Sequence, residues 1–332
     1  MKFLKQSKPG LLYLLTAFLF VNSLWGKVPC EDEFKVEKKK NYSKSYPLSG
    51  NTLVKLDNSF GEMKIITWDK SEAKVEVNIT VKANSEQGAQ KLLDEIKFED
   101  GKEGNTVYFK TSVGFKNKNW KKNDDDDDDD NEDNEKNYKN SNNTTSMEIN
   151  MTVYMPAGNP INAVNSFGSM VVPDLTGEAE IASRFGSLTC GKLNNNKEVS
   201  VEFGKGEIER INGGEVNIKF SRAGIGKISG DIKANFEFSK ATTINLDNTL
   251  KGLRVYNSYS TVELVLSKDL SAEFEVKTNF GSFKNNSNAK ITEEKEEDDD
   301  HGPKFDHTYS GKIGSGAIKI KIKSSFGTVK IN

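Results

Sequence analysis

The residues of this chain best suited to chemistry are carboxylates, and they fall in two patterns. One is the run, Asp124–Asp130 and again Glu293–Asp300. The other is a column, Glu180, Glu198, Glu215 and Asp231, spaced by 18, 17 and 16 residues. Like charges on successive strands repel, so such a column must splay into water, pair with bases or share cations. Calcium would need several oxygens fixed around it, with a bend such as glycine supplies. Asp124–Asp130 has neither a glycine nor a flanking helix, and it reads as a solvated, self-repelling loop. The column reads as acids at a solvated corner, with a cation-binding or ligand-facing stripe as the sharper alternative.

Other chemistry is thinly represented. The only histidines, His301 and His307, sit beside the second acidic run, a setting for adventitious rather than designed metal binding. No G-x-S-x-G elbow, H-E-x-x-H pair or phosphate-cradling glycine loop occurs. Gly224-Ile-Gly226 and Gly311–Gly316 read as turn glycines. The sequence therefore offers no catalytic, cofactor-binding or metal-ligating residue, and no cofactor is expected.

The elements that must position these side chains are announced by a repeat. Asn58-Ser-Phe-Gly61, Asn165-Ser-Phe-Gly168, Ser183-Arg-Phe-Gly186, Val201-Glu-Phe-Gly204 and Ile218-Lys-Phe-Ser221 share an aromatic before a turn. Ala234-Asn-Phe-Glu237, Asn257-Ser-Tyr-Ser260, Thr278-Asn-Phe-Gly281 and Ser324-Ser-Phe-Gly327 extend the series. The central aromatics, at 167, 185, 203, 220 and 236, step by 18, 18, 17 and 16 residues, and a period near 20 marks a solenoid. Apolar columns keep the register: Leu175, Leu193, Ile211, Ile228 and Ile244 eight residues on, and Val172, Cys190, Ile208 and Ile225 five residues on. Val199, Val216 and Ile232 stand four residues before their aromatics. Units this short bury their apolar faces only by stacking. The expectation is an all-β, repetitive parallel β-solenoid over residues 146–332, with Phe167, Phe185, Phe203 and Phe220 buried in one line. Cys190 then fills a core column as a small hydrophobe rather than pairing with Cys30. Arg184, Glu202 and Lys219, just before the aromatics, form a ladder of alternating sign.

Residues 46–112 read as a strand-rich N-terminal cap. Val75, Val77, Ile79 and Val81 alternate with polar residues, as do Met147, Ile149, Met151, Val153 and Met155. Asn84 can cap a helix with Ala89, Leu92, Leu93 and Ile96 on one face, and Gly104–Thr111 reads as a further strand. Residues 113–145 and 285–308, too polar to supply a core, read as disordered acidic insertions.

Asp57-Asn-Ser-Phe-Gly-Glu-Met-Lys-Ile-Ile-Thr-Trp-Asp69, then Val75–Val81 and Ala83–Asp94, resemble the opening of bacterial putative-adhesin domains. Met147–Pro156 and the Phe-Gly repeats extend the likeness over most of the chain, with the acidic insertions and the units at Phe236 and Tyr259 as departures. The resemblance implies an exported, β-helix-like protein of the cell envelope and brings no catalytic residues with it.

Export is also legible directly. Lys2, Lys5 and Lys8 precede an apolar Leu11–Val21 run, with cleavage after Ser23 or Gly26, so residues 1–26 read as a signal peptide. No later segment is apolar enough to span a membrane. The net charge of -2 lacks the basic excess of a nucleic-acid binder. The expected function is an envelope or surface binding module, periplasmic or exposed, whose ligand is a protein or polysaccharide. The rival is a carbohydrate-active β-helix enzyme, which would need convergent acids in a groove.

Overall fold

The computed structural model describes residues 34–114, 145–240, 242–294 and 305–332. Residues 1–26, read above as a signal peptide, Cys30, the seven-Asp run and His301 lie outside them.

Strands alternate apolar-in and polar-out almost throughout, as a period of two dictates. The N-terminal part runs β1 (Val36–Pro47), β2 (Leu53–Ser59), β3 (Met63–Thr67), β4 (Glu72–Ala83), α1 (Glu86–Glu95), β5 (Ile96–Glu103), β6 (Thr106–Val113) and β7 (Thr145–Met155). The middle follows as β8 (Ile161–Ser166), β9 (Ser169–Val172), β10 (Leu175–Arg184), β11 (Ser187–Glu202), β12 (Lys205–Lys219), β13 (Arg222–Glu237) and β14 (Thr242–Ser258). The C-terminal part is β15 (Thr261–Leu266), β16 (Ala272–Asn279), β17 (Ser282–Asn285), β18 (Lys290–Glu293), β19 (Asp306–Ile313), β20 (Ile318–Ser325) and β21 (Thr328–Ile331).

All 21 strands belong to one hydrogen-bonded sheet, and that sheet is mixed rather than uniformly parallel. In its middle, β2, β8, β10, β11, β12, β13, β14, β20 and β16 pair in parallel in that order. Leu56, Ala163, Ile181, Val199, Val216, Ala234, Val255, Ile322 and Val276 stand rung on rung in this run. Every one of them is buried. Each buried Val or Ile contributes about 1.5–3 kcal/mol relative to exposure. At one end β2 pairs in parallel with β6, which pairs antiparallel with β5, and at the other β16, β19 and β18 pair antiparallel. β7, β4 and β1 extend the sheet antiparallel from β3, which pairs with β9.

Several sequence expectations need correction. The C-terminal strands are not stacked in chain order, because β20 inserts between β14 and β16. Its Ile318-Lys-Ile-Lys-Ile-Lys pattern supplies the inward isoleucines that two flanking strands require. The 285–308 segment is not all loop. β18 and β19 pair across it, and Ile291 and Tyr309 pack against the core. β7 lies inside the expected repeat region yet pairs antiparallel with β4. The strand β1 starts ten residues before the expected cap and pairs along all of β4. Its Lys-rich sequence hides it from an apolar-alternation reading and suits an edge strand, which charge protects from further pairing. The helix is capped by Ser85, whose hydroxyl accepts from the Gly88 N–H at 3.1 Å, rather than by Asn84.

The register itself shifts at one unit. Val216 pairs with Ala234 rather than Ile232, and Ile228 pairs with Leu246 rather than Ile244. Phe236 is therefore an inward core residue, 1% exposed, and Phe238 holds the repeat position. The steps from Phe167 become 18, 18, 17 and 18 residues.

Candidate functional site

Each repeat aromatic sits at a corner between two strands with a positive φ. The values run from 47° at Phe238 to 64° at Phe60, and they include Phe167, Phe185, Phe203, Phe220, Tyr259, Phe280 and Phe326. This left-handed conformation is rare for a bulky residue and costs about 1–2 kcal/mol. The corner persists because neighbouring coils over-determine it. The N–H of Phe185 donates to the Glu202 carbonyl at 2.9 Å, and that of Phe203 to the Lys219 carbonyl at 3.0 Å.

A left-handed corner turns the ring outward. Phe167, Phe185, Phe203 and Phe220 are aligned as expected but are not buried, each standing 47–50% exposed. The rings stack in one unbroken row: Phe60, Phe167, Phe185, Phe203, Phe220, Phe238, Tyr259, Phe326, Phe280 and Phe305. In the middle, centroids lie 4.8–4.9 Å apart with planes 2–6° from parallel. That spacing is the strand separation of a sheet. Ring faces therefore cover one another, and ring edges meet solvent.

The glycine after the ring answers a steric demand, not a dihedral one. A Cβ on Gly186 would lie 1.9 Å from the Gly168 carbonyl oxygen, and one on Gly204 2.1 Å from that of Gly186. Where serine replaces glycine, its hydroxyl joins the ladder. The Gly204 N–H donates to Ser221 Oγ at 3.0 Å, and the Ser239 N–H to Ser260 Oγ at 2.8 Å.

Charge is distributed unevenly on the two sides of the row. Just before the rings, Arg184, Glu202, Lys219 and Glu237 face one another with alternating sign, with contacts of 3.4 Å and 3.7 Å. Two residues after the rings, Lys205 stands opposite Arg222, and Lys240 follows on the next coil, its N–H on the Ser221 carbonyl. These cations, Phe220, Phe238 and Gly204 line a groove of about 370 Å³. Lys205 reaches Glu207 at 3.7 Å; among the described residues, Arg222 and Lys240 meet no carboxylate. A second basic group, Arg254, Lys277, Lys321 and Lys323 around Tyr256, is partly neutralised by Glu275.

The acidic column is shorter than the sequence suggests. Glu180, Glu198 and Glu215 are opposed rung by rung, but the next rung is Lys233, while Asp231 faces Gly252. Lys197 reaches Glu180 at 2.8 Å, Asn217 donates to Glu198 at 2.8 Å, and Lys233 lies 3.2 Å from Glu215. The stripe is thus answered by the protein's own donors. His307, expected in a loop, lies in β19 with Nδ1 2.6 Å from Glu293 Oε1. Among the described residues no three His, Cys, Asp or Glu side chains cluster as a metal site.

Cys190 is buried opposite Val172 and Ile208. Burial, aided by Asp174, pushes its thiol up to about 12, so the thiolate needed for reactivity is scarce. A shallow groove of about 500 Å³ beside it carries Glu207 and Glu209. Each is bound to a lysine, Lys205 and Lys192 respectively.

No protein-family model and no curated protein matches the chain. Among solved structures it is similar to a putative adhesin from Bacteroides fragilis NCTC 9343, with 11% identity, TM-score 0.40, and coverage of 89% of this chain and 98% of that one. It is similar also to a putative cell adhesion protein from Clostridium sporogenes ATCC 15579, at 12% identity, TM-score 0.22, and coverage of 89% and 99%. A third is a putative lipid binding protein from Parabacteroides distasonis ATCC 8503, at 12% identity, TM-score 0.30, and coverage of 88% and 96%. Adhesins by name thus recur among its structural neighbours, as the sequence resemblance implied. At these superposition scores they carry no argument about what this chain binds. Among the described residues, no helix is long and apolar enough to cross a membrane.

Proposed function

We propose that this chain is an exported binding module of the cell envelope or surface, parallel β-solenoid in architecture, which presents a corner and runs no reaction. The observation that carries the reading is the row of ten stacked aromatic rings. Folding that served stability alone would turn these rings inward, where each would bury more apolar surface. Their repeated exposure, held against backbone strain, fits a surface kept for a partner. The paired state of Glu207 and Glu209 and the raised pKa of Cys190 support a role without acid–base or nucleophilic work.

Immobilised chain should capture material from an envelope extract whose protein, polysaccharide and lipid fractions are kept apart. Replacing Phe185, Phe203 and Phe220 together by serine should abolish the capture. Release of new reducing ends from an envelope polysaccharide would instead establish the enzymatic rival.

A further inference from the structure

We infer that the corner carrying Phe203, Phe220 and Phe238, with Lys205, Arg222 and Lys240, docks on a membrane surface bearing anionic lipid headgroups. This rests on the reading of the chain as a binding module and names its partner.

Charge supplies the first argument. Just before the rings, neighbouring rungs place opposite signs together at Arg184, Glu202, Lys219 and Glu237, although like charges stack at other rungs, as at Lys192, Arg210 and Lys227. Beside the rings the alternation stops, and three cations stand on successive coils. Like charges in this position repel each other. Only Lys205 has a carboxylate nearby, at 3.7 Å, so Arg222 and Lys240 carry charge that an external anion would neutralise. The whole chain has a net charge of -2, so attraction to an anionic partner must come from local basic patches such as this one rather than from the chain as a whole.

Shape supplies the second. The rings are stacked on one another, so their faces are unavailable to sugar rings, which would need them. What remains is a straight ridge of ring edges, suited to a flat apolar boundary and not to a compact ligand. Only Gly204, Ser221 and Ser239 lie between the rings and the cations in sequence. A phosphate could therefore meet Arg222 while the ring edges enter the interface. Apolar residues on one side and Lys or Arg on the other are what interfacial membrane binding uses.

The test is sedimentation of the full chain with vesicles of phosphatidylcholine alone or mixed with phosphatidylglycerol. Binding is expected only to the mixed vesicles and should weaken with salt. R222E/K240E changes exposed side chains and keeps the same N-terminus, so any contribution of the leader cancels. It should bind about tenfold less or weaker still, with an unchanged urea midpoint. Phe220→Trp should gain quenching by brominated lipid above that of the unaltered chain, whose own tryptophans are Trp25, Trp68 and Trp120. Excess glycerol phosphate in solution should compete weakly, since it brings no apolar boundary. Equal binding by R222E/K240E, or no added quenching, would overturn the proposal. So would patch-dependent capture of an acidic polysaccharide such as alginate without vesicle binding. The last outcome sinks the membrane partner while leaving the binding module intact; failure of all capture from envelope extract sinks the module.

Discussion

Phe185 and Phe203 stack ring on ring at 4.9 Å with planes 5° apart, although each is 49% exposed and each holds a positive φ. Their stability contribution comes from one another rather than from burial. Phe203 touches two ring neighbours, and a stacked aromatic pair contributes about 0.5–1.5 kcal/mol beyond area. Phe203→Ala should therefore cost about 1–3 kcal/mol in urea unfolding. Phe203→Gly removes the same stacking and relieves the left-handed strain, so it should be less destabilising than alanine. A glycine variant clearly weaker than the alanine variant would contradict this account.

Phe236 and Phe238 are two residues apart and point to opposite sides. Phe236→Ala opens a cavity in the core and should cost about 3–5 kcal/mol. Phe238→Ala should cost about 1–3 kcal/mol, like the other corner rings. Equal costs, measured by the same denaturant titration, would place the repeat register where the spacing of the sequence first suggests.

Gly186 is fixed by the Gly168 carbonyl beneath it. Gly186→Ala must push two backbone turns apart and should cost about 3 kcal/mol or more. Gly104, where an added Cβ meets nothing within 4 Å but φ is 57°, gives the contrast. Gly104→Ala should cost about 1 kcal/mol from conformation alone.

The carboxylates Glu198 and Glu215 are answered by Asn217, Asn235 and Lys233. Exposed pairs of this kind contribute about 0–1 kcal/mol. Melting temperatures with and without calcium should therefore differ by the same amount in the unaltered chain and in E198Q/E215Q. A calcium effect lost in the double variant would restore the cation-binding stripe.

Asp247 and Thr249 close a two-residue insertion in β14, where Ile228 pairs with Leu246 but Gly230 with Leu250. Burial raises the Asp247 pKa, yet bonds from the Thr249 hydroxyl and N–H outweigh it and hold the carboxyl below its ordinary value. A depressed folded-state pKa adds stability above the unfolded-state value, and this is lost as pH falls through the folded one. Thr249→Ala should raise the Asp247 pKa in an NMR titration and flatten the acid side of the stability profile below about pH 4.

Much of this protein is legible in the order of its residues. Strand alternation, the corner period, and the core positions of Leu193, Ile211, Ile228 and Cys190 were legible because inward residues repeat at fixed offsets. The ladder of Arg184, Glu202 and Lys219 was legible for the same reason. Spacing alone could not choose between Phe236 and Phe238, since both are aromatic and two residues apart. Strand pairing chose, by setting Val216 against Ala234. Nor could residue type say which way a corner ring points. Phenylalanine reads as core, but a left-handed backbone turns it to solvent, and φ is set by the stacked turns on either side. The same holds for the acidic stripe: four carboxylates in sequence became three and a lysine once register was fixed. The insertion of β20 between β14 and β16 was likewise beyond the sequence. Chain order records which strand comes next, whereas hydrogen bonding and the fit of inward isoleucines decide which strand lies beside it.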